Sequence, residues 1–527
     1  MDTSERVMNQ PAAGAPPSPA PQRVCVVGAG YVGLTSAACL AQLGHRVRCL
    51  EADELRLGAL TGGRTPIYEP GLDELVARGL SNRRLSFTGD VTEALSDASV
   101  VLLCVGTPPR PDGDPDLSQL GIAARQVTAA ARHDIVIAVK STVPPGACEA
   151  LELYCTDVAC AGVRVAVVSN PEFLREGHAI EDFLAPDRVV IGAEDHATAM
   201  LIWSLYPPDA PVVLCDRRSA ELVKYAANTF LAVKISFANE VAGLCERLGA
   251  QASTVLRGVG LDQRIGEQFL RPGPGFGGSC LSKDLAGFIA VSDAVEHRTP
   301  IAHAAQDVNT AARQATIEKL EHALGRLPGA RVAVLGLAFK AGTDDTRDSP
   351  GVAIVHALVK AGATVTAYDP LAHIDKLPVR AAADPYAAVL GADAAILVIA
   401  CPELAALDPH RLRRRMAGQT VIDAAGVLDH AEAHAAGLAI FGVGEGLPTS
   451  FHPVVWRPLQ WIATSPEKAG VRARNEDGIT RRAVSDGPGG GVTLGRSDRQ
   501  SMSTLRAPHP TRSSLRRPAA RDERPDV

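Results

Sequence analysis

One cysteine lies in a glycine-rich loop that is suited to covalent chemistry. Cys280 belongs to the segment Gly-Phe-Gly-Gly-Ser-Cys-Leu-Ser-Lys-Asp, residues 275–284. The glycines allow backbone to pass close to a ligand, and we expect the nearby cation of Lys283 to lower the pKa of the thiol. We therefore interpret Cys280 as a nucleophile, whereas cysteines in apolar runs, such as Cys25 and Cys39, are read as small hydrophobic residues.

A dinucleotide-binding pattern near the start of the chain indicates the chemistry that this thiol would serve. Gly28-Ala-Gly30-Tyr-Val-Gly33 follows a hydrophobic strand and opens a helix. The first glycine permits a tight turn, the second lets backbone approach a pyrophosphate, and the third allows close packing of helix and strand. Glu51, at the end of the next strand, would bind the ribose hydroxyls, so NAD is favoured over NADP.

A nicotinamide site and a nucleophilic thiol in one chain predict oxidation of an alcohol to a carboxylic acid. The thiol would capture the aldehyde as a thiohemiacetal, and a second hydride transfer would give a thioester that water hydrolyses. Two alternatives stay open: a single-step dehydrogenase in which Cys280 is idle, and a binding protein without turnover. The number of cofactor molecules reduced per substrate distinguishes oxidation to the acid from a single-step dehydrogenase. Any turnover excludes a binding protein.

Two further pairs of side chains have spacings that suit catalysis. Lys224 and Asn228 share one face of a long helical pattern and could polarise an oxygen and accept a proton. Glu172 and Glu176 follow a strand end, where ligands bind in α/β sheets. The simpler interpretations are a solvated lysine and a helix start that favours acids.

The histidines of a short helical pattern are not predicted to bind a metal. His430 and His434 have the spacing His-x-x-x-His, but no glutamate directly follows the first of them and no third ligand lies nearby. We expect a solvated helix face there and no metal site.

These residues lie in two regions where apolar runs alternate with helical patterns, which indicates parallel sheets covered by helices. The predicted strands of the first region are 24–28, 47–51, 100–105, 135–140 and 165–169, and those of the second are 331–335, 364–368, 394–398, 420–423 and 439–442. A helix over 219–250 would join the regions and contribute to a dimer interface. The fold class is therefore α/β, with an N-terminal Rossmann NAD-binding domain, a long central helix in a helical domain, and a C-terminal Rossmann-like domain.

Length and composition agree with several domains. The chain has 527 residues, 46% of them hydrophobic, and a formal net charge of −6, so nothing indicates nucleic acid as a partner. No apolar run reaches the length of a membrane span, and the eleven cysteines show no paired spacing, so we expect a cytoplasmic protein. The predicted divisions are a disordered 1–21, an NAD-binding domain 22–215, a central helical or dimerisation domain 216–328, a second α/β domain 329–455, to which the resemblance described next assigns binding of a UDP-sugar, and a disordered tail 456–527.

Several motifs, in order, resemble those of the UDP-glucose 6-dehydrogenase family among the nucleotide-sugar 6-dehydrogenases. Besides Gly-Ala-Gly-Tyr-Val-Gly-Leu at 28–34 and the Cys280 loop, they are Pro-Ile-Tyr-Glu-Pro-Gly-Leu at 66–72, Val-Gly-Thr-Pro-Pro at 105–109, Lys-Ser-Thr-Val-Pro at 140–144, Ser-Asn-Pro-Glu-Phe-Leu-Arg-Glu-Gly at 169–177, Arg-Ile-Gly at 264–266 and the segment 337–350. The resemblance covers residues 23–444. It implies that the substrate is UDP-glucose, that two NAD are reduced per UDP-glucuronate, and that the protein is a homodimer. Another nucleotide sugar, such as GDP-mannose or a UDP-N-acetylhexosamine, is the alternative substrate.

The resemblance also implies a role for each matching residue. Cys280 would be the nucleophile, Lys224, Asn228 and Asp284 would handle the proton and the oxyanions, Glu176 would serve the hydrolytic water, and Thr142 would lie between cofactor and substrate. NAD would be bound by Gly28, Gly30, Tyr31, Val32, Gly33, Glu51, Arg56, Thr107, Thr142, Lys283 and Arg347. The nucleotide sugar would be bound by Glu172, Phe173, Leu174, Arg175, Glu176, Lys224, Asn228, Phe269, Leu270, Arg271, Pro272, Gly273, Gly277 and Lys340, with Arg264 reaching over from the neighbouring subunit.

The chain departs from the family pattern at two places. Ser282 replaces a common proline, which should matter little. In Asp-Ala-Ala-Gly-Val, residues 423–427, the family often has an arginine where this chain has Ala425. We therefore expect weaker binding of the nucleotide sugar.

Overall fold

The computed structural model describes residues 21–111, 113–375 and 377–445. The predicted disorder of 1–20 and of the tail 456–527 lies outside these residues. Within them, no helix is both long and apolar enough to cross a membrane.

An eight-stranded sheet forms the N-terminal domain, in the order β3-β2-β1-β4-β5-β6-β7-β8. Neighbouring strands are parallel except for β6 and β7. Its strands are β1 Arg23–Val27, β2 Arg46–Leu50, β3 Leu85–Thr88, β4 Val100–Leu103, β5 Ile135–Val139, β6 Val165–Ser169, β7 Val189–Gly192 and β8 Val212–Cys215. Its helices are α1 Tyr31–Gln42, α2 Glu54–Thr61, α3 Leu72–Ser81, α4 Val91–Leu95, α5 Ser118–Ala130, α6 Ala147–Val158, α7 Ala179–Leu184 and α8 His196–Trp203. Two apolar cores, one on each face, bury the Val/Leu/Ile side chains of the strands.

A helical segment follows, built on the long helix α9, Arg217–Leu248. Asp216 caps its first turn by accepting a hydrogen bond from the Ser219 N–H at 2.9 Å, and Gly249 ends it in the left-handed conformation. The further helices are α10 Ala252–Gly260, α11 Leu281–Ala294 and α12 Pro300–Leu324. Because α11 and α12 both pack on α9, one face of α9 is buried over its middle turns.

A second sheet of six strands forms the C-terminal domain, in the order β11-β10-β9-β12-β13-β14, with parallel neighbours. The strands are β9 Arg331–Leu335, β10 Thr364–Tyr368, β11 Arg380–Ala381, β12 Ala394–Leu397, β13 Thr420–Asp423 and β14 Ala439–Gly442. The helices are α13 Pro350–Lys360, α14 Pro385–Ala388, α15 Pro402–Ala405, α16 Pro409–Arg415 and α17 His430–Ala435. This arrangement confirms the predicted fold class.

The predicted elements agree with the structure except at their ends and at the sheet edges. Predicted strands start or stop within two residues of the observed ones, and α9 begins at Arg217 rather than at 219. The first region was predicted with five strands, so β3, β7 and β8 were missed. β3 and β8 are edge strands and β7 is the antiparallel one, although β8 consists only of apolar residues, Val212–Cys215. The two-residue edge strand β11 of the second region was missed as well.

Candidate active site

A cavity of about 940 Å³ lies between the two sheets and the central helices. It brings together the residues predicted to do chemistry, because the β6–α7 loop, the buried face of α9 and the loop before α11 all open into it. The predicted residues that line it are Glu172, Phe173, Leu174, Arg175, Glu176, Lys224, Asn228, Phe269, Arg271, Pro272, Gly273, Gly277, Cys280 and Lys340.

Cys280 is held at the start of α11 by a loop that has no room for side chains. A Cβ atom on Gly277 would lie 2.2 Å from the carbonyl oxygen of Asp348, and Gly278 has φ +87° with the ring of Phe339 2.7 Å from its Cβ position. The loop therefore packs directly against the 337–350 segment of the C-terminal domain. The sequence predicted that these glycines bring backbone close to a ligand, and in the structure they bring it close to the Asp348 backbone and the Phe339 ring.

The pKa of the Cys280 thiol is raised, not lowered as the sequence predicted. Burial is the main cause, and the carboxylates of Glu172 and Asp284 add to it, against the opposing effect of Lys224. The cation proposed to lower it, Lys283, donates instead to Asp284 at 2.5 Å. The thiol is therefore protonated before substrate arrives.

Lys224 forms a buried ion pair with Glu172. The ammonium donates to Oε1 of Glu172 at 2.9 Å and lies over the ring of Phe173. Burial alone would lower the pKa of Lys224, but the nearby carboxylates, Glu172 first, outweigh it and raise that pKa. Burial would likewise raise the pKa of Glu172, yet Lys224 keeps it below its ordinary value. Lys224 is thus suited to donating a hydrogen bond to a substrate oxygen.

Asn228 and Asp284 form the second polar arm of the cavity. The Asn228 amide donates to Oδ2 of Asp284 at 2.5 Å, and Asp284 is fully buried on the first turn of α11. Asp284 therefore does not line the cavity but fixes the direction of the Asn228 amide.

Glu176 is held by residues of two other segments. Its carboxylate accepts hydrogen bonds from the Ser279 hydroxyl at 3.2 Å and the Thr343 hydroxyl at 3.1 Å, and Arg347 lies 3.8 Å away. Burial raises the pKa of Glu176, and Asp345 adds to this effect. A carboxyl group with a raised pKa beside the thiol is suited to general acid–base chemistry.

The turn between β1 and α1 fits a dinucleotide. Gly28 has φ +93°, and a Cβ on Gly33 would lie 1.8 Å from the Gly28 carbonyl oxygen, whereas nothing lies within 4 Å of a Cβ on Gly30. The open side at Gly30 leaves room for phosphates at the start of α1. Glu51 accepts hydrogen bonds from the N–H groups of Ala29 and Asp53 at 2.9 and 2.8 Å and pairs with Arg56 at 3.3 Å, so its carboxylate faces this turn.

Other predicted residues lie outside the cavity lining. Thr107 and Thr142 are both buried and bonded to each other, through the Thr107 hydroxyl and the Thr142 carbonyl at 3.0 Å. Arg347 pairs mainly with Asp345. Arg264 projects from the surface, and among the described residues its ion-pair partner is Asp262. The remaining residues of the predicted sets outside the lining are Tyr31 and Val32 at the start of α1, Leu270, which is buried, and Lys283.

The cavity contains basic residues that the sequence did not single out. Lys140, Arg188 and Lys234 line it together with Gln268. Lys140 follows β5 directly and its buried ammonium donates to the Tyr206 hydroxyl at 2.8 Å. Its position at the carboxyl end of a parallel strand could have identified it from the sequence as a residue of the site. Arg188 stacks on Phe173 at 3.9 Å, a contact that no sequence spacing indicates.

The prediction that His430 lies on a solvated helix face is wrong. His430 is half-buried between the carboxylates of Asp423 and Glu445, at 3.3 and 2.8 Å, and these hydrogen bonds raise its pKa to about 10. It is an ion-pairing residue of the C-terminal domain. No group of three or more candidate metal ligands occurs in the part of the chain that the structure describes.

This fold and this cavity define a dehydrogenase with a dinucleotide-binding domain and a thiol at the substrate site. The sequence matches the NAD binding domain of the UDP-glucose/GDP-mannose dehydrogenase family over residues 22–209, its central domain over 218–311 and its UDP binding domain over 333–430. The chain belongs to the UDP-glucose/GDP-mannose dehydrogenase family, and NAD is its cofactor.

Named relatives support the same placement. The chain is 45% identical over 415 residues to a UDP-glucose 6-dehydrogenase of Rhizobium meliloti, covering 76% of this chain and 94% of the relative. It is 41% identical to one of Pseudomonas aeruginosa, covering 82% and 98%. Its fold is similar to that of a UDP-glucose dehydrogenase from Pyrobaculum islandicum, with a TM-score of 0.77, 40% identity, and coverage of 82% and 99%.

Proposed function

We propose that the protein oxidises UDP-glucose to UDP-glucuronate in two hydride transfers to NAD, with Cys280 holding the intermediates. The observation that carries the proposal is the meeting of Cys280, the Lys224–Glu172 pair and Glu176 in one cavity. A simple alcohol dehydrogenase has no need of the thiol. The relatives named UDP-glucose 6-dehydrogenase, at 38–45% identity, support UDP-glucose as the substrate.

The first oxidation needs a group that stabilises charge on the reacting oxygen. Bound NAD accepts the hydride. Lys224 and Asn228 donate hydrogen bonds to the oxygen of the sugar carbon as it loses its proton and becomes a carbonyl. Because the pKa of Lys224 is raised, the ammonium serves as a donor, and we assign the departing proton to the carboxylate network of Glu172 and Asp284 around it.

The second oxidation proceeds on the thiol. Cys280 adds through its sulfur to the aldehyde carbon while its proton passes to the carbonyl oxygen, which forms the thiohemiacetal hydroxyl. The hydride of that carbon then goes to a second NAD, and the hydroxyl proton passes to the same carboxylate network of Glu172 and Asp284, which leaves the thioester. Glu176 removes a proton from a water that attacks the thioester carbon, and the C–S bond breaks to release the carboxylate and the thiol.

Counting NADH tests the proposal. We expect two NADH per UDP-glucose when the sugar nucleotide is limiting, measured by absorbance, together with UDP-glucuronate identified by mass. A ratio of one, with the aldehyde as product, would contradict the thiol mechanism. Parallel assays with GDP-mannose and a UDP-N-acetylhexosamine test the substrate, since a better substrate among them would overturn UDP-glucose alone.

We propose further that the enzyme is a cytoplasmic homodimer formed through α9. Phe230, Phe237 and Leu244 are exposed and recur every seven residues, so they form one apolar stripe along this helix. A second copy of the stripe is the occupant that would match it in length and chemistry. Arg264 is exposed, and it would exchange its pairing with Asp262 for a contact with the neighbouring subunit. All eleven cysteines are free thiols, which supports a reducing compartment.

A further inference from the structure

The motif Pro-Ile-Tyr-Glu-Pro-Gly-Leu, residues 66–72, has no part in the mechanism above, yet its glutamate reaches the catalytic loop. Glu69 is buried, although it lies between α2 and α3 rather than in the cavity. Its carboxylate accepts hydrogen bonds from the Gly177 N–H and the Ala179 N–H, both at 2.7 Å. Burying a carboxylate raises the free energy of the folded protein unless several hydrogen-bond donors surround it. The N–H groups of this loop are donors of that kind for Glu69.

Glu69 satisfies backbone groups that the loop itself leaves without a partner. The short helix α7 begins at Ala179, and His178, which precedes it, makes no side-chain capping bond. The N–H groups at the start of a helix have no partner within the helix. Because Glu69 supplies that partner from a distant segment, it fixes where the β6–α7 loop ends.

The residue that Glu69 holds is the immediate neighbour of Glu176. Gly177 has φ +82°, and a Cβ there would lie 2.7 Å from the carbonyl oxygen of Gly342. Gly177 is therefore fixed between Glu69 on one side and the C-terminal domain on the other. The direction of the Glu176 side chain, which contacts Ser279 and Thr343, follows from the position of this backbone.

The same carboxylate also contacts the dinucleotide turn. The hydroxyl of Tyr31, the first residue of α1, donates to Glu69 and accepts from the Gly177 N–H at 2.8 Å. Burial and Glu69 raise the pKa of Tyr31, so this hydroxyl stays protonated. Glu69 thus connects the phosphate-binding turn with the loop that carries Glu176.

We propose that Glu69 is a positioning residue that holds Glu176 in place for hydrolysis of the thioester; this rests on the role given to Glu176 under the proposed function. Binding of UDP-glucose and the first hydride transfer use other residues, and excess NAD offsets any weakening of the turn at Tyr31, so these steps should depend little on Glu69. The hydrolytic step alone requires the Glu176 carboxylate to lie next to a water and the Cys280 thioester.

The test compares Glu69→Gln and Glu69→Ala with the wild-type enzyme, mixed with UDP-glucose and excess NAD. We expect a fall in kcat of up to about 100-fold, as for small misplacements of a catalytic group, with KM for UDP-glucose nearly unchanged. Intact-protein mass spectrometry after rapid quenching should show the UDP-glucuronyl adduct on Cys280 accumulating. Glu69→Gln keeps the side-chain volume and one acceptor oxygen, so it serves if Glu69→Ala fails to fold.

Two control variants separate the possible outcomes. Glu176→Gln should accumulate the same adduct; if it does not, the hydrolytic role of Glu176 is wrong and the inference about Glu69 fails with it. Glu221→Gln is the stability control, because Glu221 accepts hydrogen bonds from the Gly146 and Cys148 N–H groups at the start of α6 in the same manner. It should lower Tm without adduct. If Glu69→Gln lowers Tm but hydrolyses the thioester at the wild-type rate while Glu176→Gln accumulates it, Glu69 is only structural.

Discussion

Cys280 combines a reactive position with a thiol that burial keeps protonated. Glycines and polar neighbours around a cysteine are local features, so the sequence alone could predict Cys280 as the nucleophile. It gave the wrong direction for the pKa, because burial and the partner of Lys283 are set by tertiary packing. A thiol whose pKa is raised by burial is less reactive toward adventitious electrophiles.

Removal of the Cys280 sulfur should abolish formation of the acid. In Cys280→Ala no thiohemiacetal can form, so we expect no UDP-glucuronate and at most one NADH per enzyme-bound sugar. The product is checked by chromatography and mass. Cys160→Ala, at an exposed cysteine far from the cavity, should retain full activity. Near-normal acid formation by Cys280→Ala would show that another group carries the intermediate.

As the pH is lowered, the rate of thioester hydrolysis should begin to fall at a higher pH than it would if Glu176 had the pKa of an ordinary glutamate. The side chain must be ionised to act as a base, and burial raises its pKa above the ordinary glutamate value of 4.5. Hydrolysis should therefore slow as the pH falls through that raised pKa, whereas the first hydride transfer should not show the same decrease. Decay of the Cys280 thioester, measured by quenched mass spectrometry from about pH 4 to pH 8, tests this. A rate that stays flat down to the ordinary glutamate pKa would contradict the assignment.

The loop after β13 is the element at which this chain departs from the family pattern. Ala425 lines the cavity, and its N–H donates to the Leu397 carbonyl at 3.1 Å, so the loop is held in place without a cationic side chain. Arg271, Lys234 and Lys340 line the same cavity and leave it basic. We therefore expect the departure to weaken binding of the nucleotide sugar while the cavity keeps its positive charge.

An arginine at this position should improve binding of UDP-glucose. For Ala425→Arg we expect KM to fall about tenfold with kcat unchanged, since a charge-assisted hydrogen bond contributes about 1.5–3 kcal/mol and uniform binding leaves kcat alone. Steady-state kinetics measure both constants. Ala435→Arg on the exposed side of α17 adds the same charge away from the cavity and should change neither. A rise in KM would indicate that the loop is adapted to a different sugar nucleotide.

How well the elements could be predicted depended on where they lie in the sheets. The buried central strands, such as β4 and β12, are continuous apolar runs and were located within two residues. The strand β3 lies at the sheet edge, where one side needs no apolar residue, and was missed. The strands β7 and β8 are apolar runs and were missed all the same, so the apolar pattern was not sufficient. The contacts between elements, such as Arg188 on Phe173 or His430 between two carboxylates, join residues far apart in the chain and leave no local pattern.

The whole molecule should be a dimer in which the α9 stripe is buried. Phe237→Glu places a charge in the middle of the stripe, and we expect it to yield a monomer because burying an unpaired carboxylate is unfavourable. Light scattering coupled to size exclusion gives the mass of each species. Leu153→Glu changes a leucine on α6 that is more exposed than Phe237, and it should leave the wild-type mass unchanged. A monomeric wild type, or a dimer that survives Phe237→Glu, would contradict the proposed interface.

Glu176, Ser279 and Thr343 come from three successive stretches of the chain and meet at one carboxylate. Each of the two contacts therefore joins residues that lie far apart in the sequence. If recombination replaced the stretch that carries Glu176 with that of a distant homologue, the new stretch would have to restore both contacts at once. The three segments are therefore expected to be inherited as a block, although each sheet by itself resembles a module that evolution could exchange.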